Sequence, residues 1–158
     1  MTKNATVKTV DAGRDPAARH DYFAEVAEAR YVLRRVFRIS EEQARAAGLD
    51  PLAHQALIQI YGSPERRLRV NQLAERLDIT PAFASSLLKS LVADGMIDRR
   101  RDDDDHRVTW VSATDAAIEK LVAIDAAVGF HVDYFAAQIP AKDRKRALAT
   151  LKFYVGLG

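Results

Sequence analysis

The sequence predicts a mainly α-helical fold with a small β-ribbon, and three observations carry that expectation. Apolar residues recur at steps of three and four through most of the chain. From Val70 to Thr114 two short helical segments, a tight turn and two extended basic runs follow one another directly. Long amphipathic segments flank that stretch on both sides. Two short helices followed by a ribbon are the layout of a winged helix-turn-helix, here set between long N- and C-terminal helices.

Residues 1–16 are polar, carry no sustained period and include Gly13 and Pro16, which reads as a flexible N-terminal arm. Residues 17–158 read as one domain, with 51–114 as the winged lobe and 17–48 and 115–158 as the flanking helices. From Ala17 to about Ala47, Tyr22, Val26, Ala29, Leu33 and Val36 form an apolar stripe, and Gly48 supplies a stop. Ser40 followed by Gln43 fits a capping box, so a break near Ile39 is one outcome. Asp50-Pro51 is an N-cap with proline at the first helical position, and Leu52 to Tyr61 is apolar on most of its circumference, the mark of a buried helix.

Gly62-Ser63-Pro64 ends that helix. Leu68 to Val70 reads as a very short strand before Asn71 caps a helix whose inward face is Leu73, Ala74 and Leu77. Thr80 then caps a helix through Asp94, with Ala84, Leu87, Leu88, Leu91 and Val92 as its core stripe. Met96 to Arg101 and Arg107 to Ala113 are the two strands of a wing with a charged tip. After Thr114-Asp115 a long helix runs to about Gln138, and Ala141 to Val155 forms the last one.

Composition narrows the function. The chain has 158 residues, 48% of them hydrophobic, with no apolar run approaching a membrane span and no secretory signal at Met1 to Val10, so a cytoplasmic globular protein is expected. With no cysteine, disulfides, thiolate metal sites and cysteine nucleophiles are excluded. Four histidines at 20, 54, 106 and 131 have no ligand spacing, and no Gly-rich phosphate loop is present, so neither an enzyme nor a metal or cofactor site is expected. The net charge is only +2, yet between residues 65 and 101 eight arginines and lysines stand against five acids. The excess sits on the suspected reading module, and double-stranded DNA is the expected partner.

If Leu87, Leu88 and Leu91 face inward, Pro81, Ala82, Phe83, Ser85, Ser86 and Lys89 are left for the DNA side of the second helix. The serines suit phosphate or base edges, Ala82 and Phe83 suit a thymine methyl, and Lys89 suits a phosphate; in the plainer reading this is a solvated helix face and Phe83 packs against the preceding helix. On the wing, Arg99, Arg100, Arg101 and Arg107 suit phosphates or a minor groove. They flank Asp102 to Asp105, whose charge opposes DNA unless it is paired, and Asp105 is expected to pair with Arg107. A divalent cation held by Asp102 to Asp105 with His106 is the sharper alternative; a charge run at a hairpin tip is ordinarily solvated. A winged-helix module that binds protein and never DNA is the rival reading.

In this order the elements resemble the MarR (multiple antibiotic resistance regulator) family of bacterial transcriptional regulators. Asp105-His106-Arg107 followed by Ala113-Thr114 is similar to its D-x-R-x(5)-L-T wing signature, with Ala113 in the leucine position. Leu91 to Met96 is similar to its L-x-x-x-G-L/M helix ending, and Leu73-Ala74-Glu75-Arg76-Leu77 to its L-A-x-x-L core. The chain departs at Ser86, where the family often has arginine, and in its acidic wing tip. The resemblance implies a homodimer reading a pseudo-palindromic operator, usually as a repressor, and released by a small ligand.

A dimer is also expected from the residues, because helices of about 31 and 25 residues, roughly 46 and 37 Å long, exceed the needs of a small wing module. Phe130, Tyr134, Phe135, Leu148, Leu151 and Tyr154 add apolar surface near the C-terminus. The alternative is that these helices pack on each other within one chain. For an effector, His20, Phe23, Arg30 and Arg34 share one face of the first helix, and His54, Ile58 and Tyr61 one face of the next. An aromatic acid suits that set, with Arg30 or Arg34 on its carboxylate. Arg35 and Arg38 beside them also suit an acyl-CoA thioester. In the plainer reading His54 is a core histidine and the arginines cover the helix surface.

Overall fold

A computed structural model describes residues 16–105, 107–138 and 140–154. The order is α1 (Pro16–Ala46), α2 (Pro51–Tyr61), β1 (Arg67–Arg69), α3 (Val70–Arg76), α4 (Pro81–Ala93), β2 (Ile97–Arg101), β3 (Thr109–Ala113), α5 (Asp115–Gln138) and α6 (Ala141–Tyr154). The fold is thus mainly α with one small sheet, as the sequence predicts. Residues 1–15 of the expected arm lie outside the described residues, and Pro16 already belongs to α1. No helix among the described residues is long and apolar enough to cross a membrane.

Two compact units divide the chain at Ser40, residues 1–40 and 41–158. In the first, α1 runs unbroken through Ile39, because nothing between Ala17 and Ala47 is proline or glycine to interrupt it. The capping box expected at Ser40 is therefore absent. The apolar stripe is present in sequence but open to solvent: Tyr22, Leu33 and Val36 are exposed, as are Phe23, Tyr31, Val32, Phe37 and Ile39.

The second unit holds the core. Leu57 and Ile60 of α2, Leu73 of α3, Leu88 and Leu91 of α4 and Val111 of β3 are its largest fully buried side chains, joined by Ala117, Leu121 and Ile124 of α5. Asp50 caps α2 through Oδ1, which accepts from the N–H groups of Leu52 and Ala53 at 2.9 and 3.0 Å. α2 is less enclosed than its apolar sequence suggests, since Ile58 is exposed. α3 starts one residue before Asn71: the backbone N–H of Arg69 donates to the Gln72 side chain at 3.0 Å, so glutamine closes the first turn in place of the expected asparagine cap. On α4, Ala84, Leu88 and Leu91 are buried at steps of four and three, while Leu87 is half-buried and Val92 is exposed. Val92 lies a further 100° or so around the helix from Leu91, which takes it out of the stripe.

The sheet has the order β1-β3-β2, all antiparallel. Leu68, Val111 and Arg99 are in register, as are Arg69, Trp110 and Arg100. Because successive residues alternate faces, Leu68 and Val111 point into the core while Arg67, Arg69, Trp110, Arg100 and Ser112 share the outer face. Gly95, at φ +67, turns the chain from α4 into β2. Thr114 fastens the base of the wing, its hydroxyl donating to the Gly95 carbonyl at 2.8 Å and accepting from the Ala117 N–H at 3.3 Å.

His54 is buried on α2, and burial pushes its imidazole below the ordinary value of 6.5. The folded chain then takes up this proton less readily than the unfolded one, so the stability involved is complete above that value and falls as pH drops below it. A thermal melt of the wild type is expected to lose stability below pH 6.5, with His54→Leu flattening that part of the profile.

Candidate nucleic-acid interface

The candidate interface consists of α4 and the wing, both held by the core of the second unit. Thr80 caps α4, its hydroxyl oxygen accepting from the Phe83 N–H at 3.2 Å, and Pro81 occupies the first helical position. With Ala84, Leu88 and Leu91 turned inward, Pro81, Ala82, Phe83, Ser86 and Lys89 are exposed and Ser85 is half-buried. The positive dipole end of the first turn lies at the same end as Phe83.

On the wing, Arg99, Arg100 and Arg101 are consecutive in β2 and exposed, and Arg107 is exposed just before β3. The acidic tip is accounted for almost residue by residue. Arg107 pairs with Asp105 at 3.0 Å, as expected, and holds that carboxyl below its usual range. Arg100 pairs with Asp103 at 3.2 Å. Asp102 does the most: its Oδ2 accepts from the Trp110 indole N–H at 2.6 Å, and its Oδ1 accepts from the N–H groups of Asp104 and Asp105, both at 3.0 Å. The indole first, then the two backbone N–H groups, hold its carboxyl at about 2.

Arg100–Asp103 is solvent-exposed on both sides, so it is a weak pair that a phosphate displaces at little cost. Among the described residues neither Arg99 nor Arg101 has a carboxylate within ion-pair distance. The Asp102, Asp103 and Asp105 carboxylates are thus engaged in hydrogen bonds and ion pairs. No group of three potential metal ligands occurs among the described residues, and His106 lies outside them.

Sequence reasoning missed the centre of the outer sheet face. The Arg67 and Arg69 guanidiniums lie 4.2 and 4.9 Å from the Trp110 ring centroid. Asp102, bonded to the indole N–H, completes that cluster, beside a cleft of about 310 Å³ lined by Arg67, Arg100, Arg101, Ser112 and Asp102 to Asp104. The available signal was alternation: Arg67, Arg69 and Trp110 each occupy the non-core position of a strand whose neighbours are Leu68 and Val111.

The residues expected to bind an effector divide between the two units. His20, Phe23, Arg30 and Arg34 are exposed on α1, where Phe23 packs edge-on to Tyr22 at 5.3 Å. On α2, His54 is buried, Ile58 is exposed and Tyr61 is half-buried, with the Arg66 guanidinium 5.8 Å from its ring. The side chains of Phe130, Tyr134, Phe135, Leu148, Leu151 and Tyr154, expected at a dimer contact, are outside those described.

Comparison with known proteins agrees with this layout. Residues 47–108 match the family model of the MarR family, a span running from just after α1 to the end of the wing tip. The chain is 25% identical over 131 residues to YdgJ of Bacillus subtilis (strain 168), an HTH-type transcriptional regulator, covering 82% of this chain and 79% of that one. The fold is similar to S. aureus MepR in its DNA-binding conformation, with a TM-score of 0.71 and 17% identity over 84% of this chain and 96% of that one. It is similar also to AbsC, a MarR family transcriptional regulator from Streptomyces coelicolor, with a TM-score of 0.64 and 16% identity over 91% and 95% of the two chains. A MepR–DNA complex shares the fold at a TM-score of 0.62, with 18% identity over 83% and 96%.

Proposed function

We propose that this chain, whose residues 47–108 match the family model of the MarR family, is a transcriptional regulator of that kind that binds duplex DNA through α4 and the wing. The observation that carries this is the joint exposure of a capped, proline-started helix and, beside it, of Arg99 and Arg101, which have no carboxylate partner among the described residues. The helix suits a major groove and the arginines suit the flanking phosphates or minor groove. In this reading Pro81, Ala82, Phe83, Ser85, Ser86 and Lys89 face the groove, and Arg99, Arg100, Arg101 and Arg107 hold backbone.

The regulator acts as a homodimer. Its support is the exposed apolar surface of α1, which a second copy would cover. Two-fold symmetry then sets two copies of α4 about 34 to 36 Å apart, matching a pseudo-palindromic operator. Binding to the gene's own upstream duplex, followed by anisotropy as salt is raised, tests the reading. A steep loss with salt supports it, whereas no bound duplex or a flat response favours a protein-interaction module.

Repression relieved by a small anion is the regulatory mode that best suits the cationic run on α1. Arg30 and Arg34 are one turn apart and exposed, spaced to grip a carboxylate or phosphate of an aromatic acid or acyl-CoA thioester. Arg30→Ala and Arg34→Ala are expected to keep operator binding and to lose release by such an anion. Normal release by both variants removes these arginines from the effector site.

A further inference from the structure

Resting on the DNA-binding reading above, we infer that α4 selects its site by apolar contact, Phe83 sitting against the 5-methyl group of a thymine. Paired hydrogen bonds to a purine edge play no part in its N-terminal turns. The exposed stripe of the helix carries this: it runs Ala82, Phe83, Ser86, Lys89 and Ser90. None of these is arginine, asparagine or glutamine, whose two-pronged groups discriminate guanine or adenine in a major groove. Lys89 is the helix's one cation, and six residues beyond Phe83 it lies about 9 Å farther along the axis. That distance takes it from the N-terminal end, where base edges are met, to the backbone flank. Ser86 and Ser90 accept or donate to any base and so discriminate weakly.

Of the two apolar side chains that remain, Ala82 and Phe83, the phenylalanine offers by far the larger contact surface and is taken as the discriminating one. It is 53% exposed, although a phenylalanine ordinarily buries most of its surface. Among the described residues its ring pairs with no other ring and no guanidinium, in contrast to Tyr22–Phe23, Arg66–Tyr61 and the two arginines on Trp110. Its backbone is fixed all the same, because its own N–H closes the Thr80 cap. A rigidly based aromatic ring, held in water on the groove side, meets one apolar group on a base-pair edge, and that group is the thymine methyl.

Uracil differs from thymine by that methyl alone, which makes the inference testable without knowing the operator beforehand. Duplexes enriched by the protein from a random-sequence library are resynthesised with one thymidine at a time replaced by deoxyuridine, and binding is measured by fluorescence anisotropy. Wild type is expected to weaken about fourfold for the contacted methyl. Phe83→Ala is expected to bind the thymidine duplex as weakly as wild type binds the deoxyuridine one, and to show no difference between the two. Phe83→Leu, which keeps an apolar side chain, retains part of the discrimination. A wild type indifferent to every replacement, or a Phe83→Ala that still distinguishes the duplexes, overturns the inference and leaves DNA binding intact. Failure to enrich or bind any duplex overturns the DNA-binding reading itself, and this inference with it.

Discussion

Replacing Leu88 with alanine is expected to destabilise the protein by about 2 to 5 kcal/mol, the range for removing a fully enclosed leucine and leaving a cavity. Leu88 has no exposed surface and lies with Leu91, Leu57, Leu73 and Val111 where α2, α3, α4 and the sheet meet. Few neighbours there are able to close the gap, since each belongs to a different element held by its own cap or ladder. Denaturant unfolding is the measurement. Val92→Ala, four residues along the same helix but exposed, is expected to change stability by less than about 0.5 kcal/mol. Equal losses for the two would contradict the assignment of the inward face of α4.

The second large effect is on DNA. Lys89→Ala, Arg99→Ala and Arg101→Ala together are expected to reduce the slope of log affinity against log salt by about three, roughly one for each phosphate left without its cation. Arg100→Ala and Arg107→Ala are expected to cost less, because each of those arginines already carries its own carboxylate partner, Asp103 and Asp105. The ranking follows from charge accounting: a paired arginine has to exchange one anion for another, whereas Arg99 and Arg101 gain a first one. An unchanged slope in the triple variant would mean that none of Lys89, Arg99 and Arg101 meets a phosphate.

Most of the architecture was legible because its determinants are local. Asp50-Pro51 and Thr80-Pro81 carry their helix starts in two residues each, and the Ala84, Leu88, Leu91 spacing declares its own buried face. What sequence conceals depends on more distant partners. Gln72 displaces Asn71 at the start of α3 because the decisive acceptor lies inside the helix, three residues from the N–H it binds. The acidic tip has the pattern of a free charge run, yet Asp102 is committed to an indole eight residues away and to two backbone groups of its own turn. In sequence Arg67 and Arg69 are general basic charge, because their role over Trp110 emerges only once β1 is paired to β3. On α1 the stripe is visible, but periodicity alone does not say whether the covering surface comes from the same chain.

Trp110 is the sole tryptophan of the chain, and it sits on the wing against two guanidiniums with its indole N–H on Asp102. The protein therefore carries a built-in optical label at one location. Excited selectively, its emission reports the wing and nothing else, so docking of this ribbon can be timed in stopped flow without dye or tag. A change confined to α1 would be dark in the same channel.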